Sequence, residues 1–139
     1  MYKLIGFFRP YAKYFLAAWI IAIVSVSSVP SIPVLKIHTN KADIRLDYLI
    51  HFLEYGLLAF LTYLSFAGNY FRISAIKYLI LTVCLIVFAL ADELHQLIIP
   101  GRTFNPRDLI SNIIGITGGL VFCVFVFRRM TLKHRVEAR

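Results

Sequence analysis

The stretch LISNIIGITGGLVFCVFVF, Leu109 to Phe127, runs for 19 residues without a charge. As a helix it would rise about 28 Å, close to the ~30 Å hydrocarbon core of a bilayer. Three more uncharged intervals precede it: Tyr14 to Leu35 with 22 residues, Tyr55 to Phe71 with 17, and Tyr78 to Ala91 with 14. Of the 139 residues, 60% are hydrophobic and 16% charged, against ~45–50% and ~25% in ordinary soluble domains. The spacing predicts an all-α membrane protein, a bundle of four transmembrane helices near residues 12–29, 47–67, 74–96 and 107–127, as one domain over 1–139 with a basic tail at 128–139. Four such helices use most of the chain, which leaves little room for a separate soluble domain.

A net charge of +8 would suggest nucleic acid in a soluble protein, but its distribution reads as membrane topology. Lys3, Arg9, Lys13, Arg72, Lys77, Arg128, Arg129, Lys133, Arg135 and Arg139 make ten on one side, and Lys36, Lys41, Arg45, Arg102 and Arg107 make five on the other. The positive-inside rule then puts both termini in the cytoplasm and the 30–46 and 97–107 loops outside. No nucleic-acid partner is expected. The basic tail fixes orientation and would favour anionic lipid. The basic start, apolar run and Ser25, Ser27 and Ser28 also resemble a secretory signal peptide, although the uncharged stretch is long enough to span. Cys84 and Cys123 sit in different apolar stretches and read as packing residues.

The polar residues that interrupt the helices carry the functional signal. A 14-residue run rises only ~21 Å, so the third helix must take in polar residues at one end, from Asp92, Glu93, His95 and Gln96. Glu93 and Gln96 share a face, with His95 turned away. On the second helix Asp47, His51 and Glu54 fall within ~60° of one another among apolar neighbours. On the fourth, Asp108, Asn112, Gly115 and Gly119 form one stripe, which must face protein. Lipid would leave Asn112 unsatisfied, and the glycines admit a neighbouring helix. Asn105-Pro106 reads as an N-cap followed by the first helical position, so Asp108 also suits the helix dipole. Pro100-Gly101 is a turn signal that projects Arg102. Glu93 and Arg102 are expected close enough to interact, directly or through a ligand, with Asp47, His51, Gln96, Asp108 and Asn112 around them. An ionisable group near the bilayer centre costs ~2.5–3.5 kcal/mol on insertion scales, so Glu54 should be paired, protonated or wet.

In order, Asp47-x-x-x-His51-Phe52-x-x-Tyr55, then Glu93-Leu94-His95-Gln96, Pro100-Gly101-Arg102-Thr103-Phe104, Asp108, Asn112 and Gly115, the residues resemble the VanZ-like family of small bacterial membrane proteins over roughly residues 45–125. The second half is the specific part. Tyr48 stands where that family often has a lysine after the aspartate, and Arg45 or Lys41 are the nearby cations that would replace its charge. The resemblance implies a bacterial cytoplasmic-membrane, cell-envelope protein whose best-known relatives raise resistance to glycopeptide antibiotics, particularly lipid-bearing teicoplanin.

The leading expectation is a binding protein. Its outward-facing polar cavity would hold an amphiphile, a lipid-linked cell-wall precursor or a lipoglycopeptide, with Arg102 and Arg107 on the anionic group. The alternative is a membrane hydrolase or transferase acting on a lipid head group, with His51 as acid/base, Asp47 or Glu93 orienting it and Arg102 stabilising phosphate charge. No nucleophile motif accompanies that set, so whether the chain is an enzyme stays open. A proton-linked transporter using Glu54 and Glu93 would need the chain to oligomerise. No cofactor is expected: Asp47, His51 and Glu93 offer oxygen and imidazole ligands, but without a diagnostic metal spacing.

Overall fold

The computed structural model describes residues 2–30, 36–39, 42–68 and 71–137. The chain forms α1 (Tyr2–Phe8), a 3-10 turn (Arg9–Tyr11), α2 (Ala12–Ser27), β1 (Lys36–Thr39), β2 (Ala42–Arg45), α3 (Asp47–Phe66), α4 (Ala75–Gln96) and α5 (Pro106–Glu137). Four helical stretches are long and apolar enough to cross a membrane: Leu4–Ser27, Asp47–Phe66, Ala75–Gln96 and Pro106–Leu132. Large apolar side chains such as Leu79, Ile80, Val83, Val87 and Leu90 on α4 are exposed. A soluble monomer rarely shows so extended an apolar surface, and lipid is its natural solvent.

Three features depart from the sequence expectation. The first span starts well before residue 12, because Pro10 sits in the first turn of the 3-10 segment and carries the helical path from α1 into α2. Arg9 is accommodated there by donating from Nη2 to the Ala67 and Gly68 carbonyls, at 2.9 and 2.7 Å, beyond the end of α3. The last helix continues to Glu137 through the segment expected to be a tail, with Met130 buried and the Arg129 guanidinium 4.1 Å from the Phe125 ring centroid. The connection between α2 and α3 carries an antiparallel hairpin, Ile37 opposite Ile44 and His38 opposite Asp43. Lys41 and Arg139 lie outside the described residues, as do the side chains of Lys36, Arg45, Lys133 and Arg135.

The core is centred on α3 and α5, which pack more extensively than any other pair of elements. Their backbones approach where both helices carry glycine. A Cβ added at Gly115 would overlap the Phe52 carbonyl oxygen and stand 3.1 Å from the Gly56 nitrogen, and one at Gly119 would stand 2.7 Å from the Gly56 oxygen. With no side chain between them, the helices come close enough for dispersion contact along the backbone. Tyr55, Leu58, Ala59, Tyr63, Ile116, Cys123 and Val126, also on α3 and α5, are buried in the core. That contact sets the positions of His51 on α3 and Asn112 on α5, one turn from the glycines.

Candidate functional site

The polar side chains meet at the end of the bundle where α2 and α4 finish and α3 and α5 begin. α5 starts there because Pro106 needs no amide partner at the first helical position and Asn105 caps it, its Oδ1 accepting from the Arg107 amide at 3.1 Å. Asp108 therefore falls in the first turn and Asn112 one turn further in. α4 reaches the same level with Glu93 and Gln96. A turn closes behind it, the Arg102 amide donating to the Ile99 carbonyl at 3.1 Å, with Gly101 at φ 77° in the left-handed position.

Asn112, fully buried, joins three helices. Its Nδ2 donates to Glu93 Oε1 at 3.4 Å, and its Oδ1 lies 3.1 Å from His51 Nδ1. A carboxylate oxygen only accepts, so the amide nitrogen faces Glu93 and the amide oxygen faces His51. The proton of His51 must then sit on Nδ1. Nε2, on the far side of the ring, is turned to Asp108 Oδ2 at 3.8 Å. Glu93 is fully buried. Its Oε2, like Asp108 Oδ1, is buried with no hydrogen-bond partner among the described residues.

A second group lies on the neighbouring face of α4. Asp92 Oδ2 accepts from Ser27 at 3.0 Å and from the Tyr55 hydroxyl at 2.9 Å. His95 Nε2 is 3.1 Å from Ser28 Oγ. This group ties α4 to α2 and α3. Sequence reasoning set Asp92 and His95 aside and used Tyr55 only as part of the motif. The signal was available in their three-residue spacing, which puts Asp92 and His95 on one face, opposite the serine pair that ends α2.

The structure thus brings His51, Glu93, Asp108 and Asn112 together, with Gln96 buried in the same turn as Glu93. Asp47 begins α3, half-buried. Glu54 is half-buried further along α3, where Trp19 donates to its backbone carbonyl at 3.1 Å. Arg102 does not pair with Glu93. Its Nε and Nη2 donate to the Val29 and Val26 carbonyls at 3.2 and 3.1 Å, Val26 in the last turn of α2 and Val29 just beyond its end. A helix C-terminus presents orphan carbonyls and negative dipole charge, and these hold the guanidinium in place of the carboxylate expected from sequence. Arg107 is exposed at the start of α5. Two concavities, of about 640 and 380 Å³, lie elsewhere: one bounded by Phe71, Arg72, Tyr78 and Arg128, the other by Leu4, Phe15, Phe60 and Phe122.

No curated protein and no solved structure matches this chain. The VanZ/LLP1 family model matches residues 8–128, which takes in α2 to α4, most of α5 and every residue of both polar groups. The chain belongs to the VanZ/LLP1 family.

Proposed function

We propose that this protein binds the head group of an amphiphile at the outer leaflet of the bacterial cytoplasmic membrane and so contributes to glycopeptide resistance. The ligand classes that fit are a lipid-linked cell-wall precursor and a lipoglycopeptide such as teicoplanin. The observation that carries this reading is the gathering of His51, Glu93, Asp108 and Asn112 at one end of the bundle, with buried oxygens of Glu93 and Asp108 left without a partner among the described residues. Such groups are costly in a packed interior unless something else satisfies them. The ten-to-five distribution of Lys and Arg supports an outward orientation of that end. Exposed Arg107, and the guanidinium donors of Arg102 that α2 does not use, suit an anionic head, while apolar helix faces suit a chain. Membrane lipids are the surrounding partners, and self-association would add a further wall to the site.

Expression in a teicoplanin-sensitive bacterium is the direct experiment. The wild-type chain should raise the inhibitory concentration of teicoplanin more than that of a glycopeptide without a lipid tail, and Asn112→Leu, inserted to the same level, should not. Equal resistance from both would remove the reading.

A second reading, a hydrolase or transferase acting on the lipid head group, is favoured by His51. Its ring is held on Nδ1 by Asn112, and Nε2 is turned to a carboxylate, the orientation that acid–base work needs. Mass spectrometry of lipid-linked precursors incubated with the protein in nanodiscs would show a cleaved or transferred head group.

A further inference from the structure

We propose that His51, Glu93 and Asp108 bind a divalent transition-metal cation such as Zn²⁺, with Asn112 orienting two of the three ligands. One ligand atom from each of the three side chains lies within 4.8 Å of the others. Tetrahedral ligands on zinc at ~2.0–2.2 Å stand roughly 3.3–3.6 Å apart, so shifts of about 1 Å bring the three into coordination distance. They come from three helices and are fixed from behind. Asn112 takes the Nδ1 proton of His51, which leaves the Nε2 lone pair directed at the carboxylates, the usual way a ligating histidine is held by a partner on its other nitrogen.

Two independent observations point to a cation rather than to the acidic cluster alone. Glu93 is fully buried, and among the described residues its Oε2 has no hydrogen-bond partner, nor has Asp108 Oδ1. His51 Nε2 and Asp108 Oδ2 face each other at 3.8 Å, too far for a hydrogen bond. A protonated His51 would pair with Oδ2 and still leave both other oxygens unmet. A dication satisfies all three side chains and cancels the two buried negative charges. One imidazole and two carboxylates form a borderline-hard donor set that suits Zn²⁺ or Mn²⁺, and three protein ligands leave a coordination position open. The set differs from the sequence expectation, in which no metal was anticipated and Asp47 was the aspartate weighed. An open position on a cation would also let an acidic cluster accept an anionic head group, but coordination stands without that reading, and the experiment reads the metal alone.

The full chain, purified in detergent and stripped with chelator, is equilibrated with zinc or manganese chloride, desalted, and assayed by mass spectrometry for metal per chain. About one equivalent is expected for the wild type and for His95→Gln, and below about 0.2 for His51→Ala and Glu93→Gln. X-ray absorption of the wild-type zinc form should show one imidazole and otherwise oxygen ligands near ~2.0–2.1 Å. Metal should also raise the thermal midpoint of the wild type. Failure of either ion to bind, a sulfur ligand from Cys84 or Cys123, or undiminished binding by a monodisperse Glu93→Gln protein would overturn the assignment. Should both variants misfold, the absorption spectrum and the thermal midpoint of the wild type still decide it.

Discussion

Asn112 and His51 fix each other: the amide oxygen on α5 and the ring nitrogen on α3 lie 3.1 Å apart, and the same amide reaches Glu93 on α4. One uncharged side chain therefore sets the proton position of the histidine and partners a buried carboxylate. Asn112→Leu keeps the volume and removes both bonds, so His51 Nδ1 and Glu93 Oε1 lose their Asn112 partner. A loss of about 1–3 kcal/mol is expected, read as a lower thermal midpoint in detergent. Asn112→Gln should recover little of it, since the longer amide cannot place oxygen and nitrogen at both partners.

The α3–α5 contact makes a sharper distinction among three neighbouring glycines. A methyl group at Gly115 meets the Phe52 carbonyl, and at Gly119 the Gly56 carbonyl and Ala59 Cβ, all on a rigid helix. At Gly118 it would meet only the Phe52 ring at 3.6 Å, an ordinary contact. Gly118→Ala should thus be neutral or slightly stabilising, because alanine is the better helix former. Gly115→Ala and Gly119→Ala should each force the helices apart and lower stability by about 1–3 kcal/mol. Gly115→Leu should prevent assembly. Equal behaviour of the three alanine variants in thermal unfolding would contradict the close approach.

The bundle was legible in the sequence because lipid demands long uncharged runs, and the α5 stripe because Asn112 between small residues cannot face lipid. Other features left no such mark. Arg9 broke the apolar run, so the first span was started too late, since charge counting does not see that a guanidinium can reach the Ala67 and Gly68 carbonyls. The Arg102 contacts were equally hidden: its partners are backbone carbonyls at and just beyond the end of α2, which no residue type announces. The hairpin was missed because Asn40-Lys41 stands between the paired Thr39 and Ala42 in place of an Asn-Gly turn signal. Within the site, periodicity placed Glu93, Asp108 and Asn112 on inward faces but could not say which polar side chain of α3 would meet them, a contact that His51 makes.

The role of Arg102 divides into two measurable parts. Its bonds to Val26 and Val29 hold the end of α2 against the 97–105 loop. Arg102→Ala should cost about 1–2 kcal/mol, the value of charge-assisted bonds at a partly exposed helix end. Arg102→Lys should recover part of it, because one ammonium can reach one carbonyl but lacks the guanidinium fork. If the head-group reading holds, both variants should also weaken amphiphile binding in nanodiscs under conditions where the protein stays folded. An Arg102→Ala protein with wild-type stability would show that the contact to α2 carries little energy.

The orientation of the bundle decides whether the polar end can meet anything outside the cell. Exposed positions are available at both ends: Thr103 in the loop before α5, and Arg129 on α5 beyond the uncharged run. With Cys84 and Cys123 replaced by serine or alanine, Thr103→Cys should react with a membrane-impermeant maleimide in intact cells. Arg129→Cys should react only after the membrane is opened. The warrant is the Lys and Arg asymmetry, since five cations lie beyond Phe127 and only Arg102 and Arg107 lie in the 97–107 loop. Hairpin and polar cluster share the end of the bundle from which α3 starts, so one labelled position reports for both. Labelling of position 129 from outside would invert the molecule and put His51, Glu93 and Asp108 at the cytoplasmic face, where a metal ion could still bind but wall precursors and glycopeptides outside the cell could not reach it.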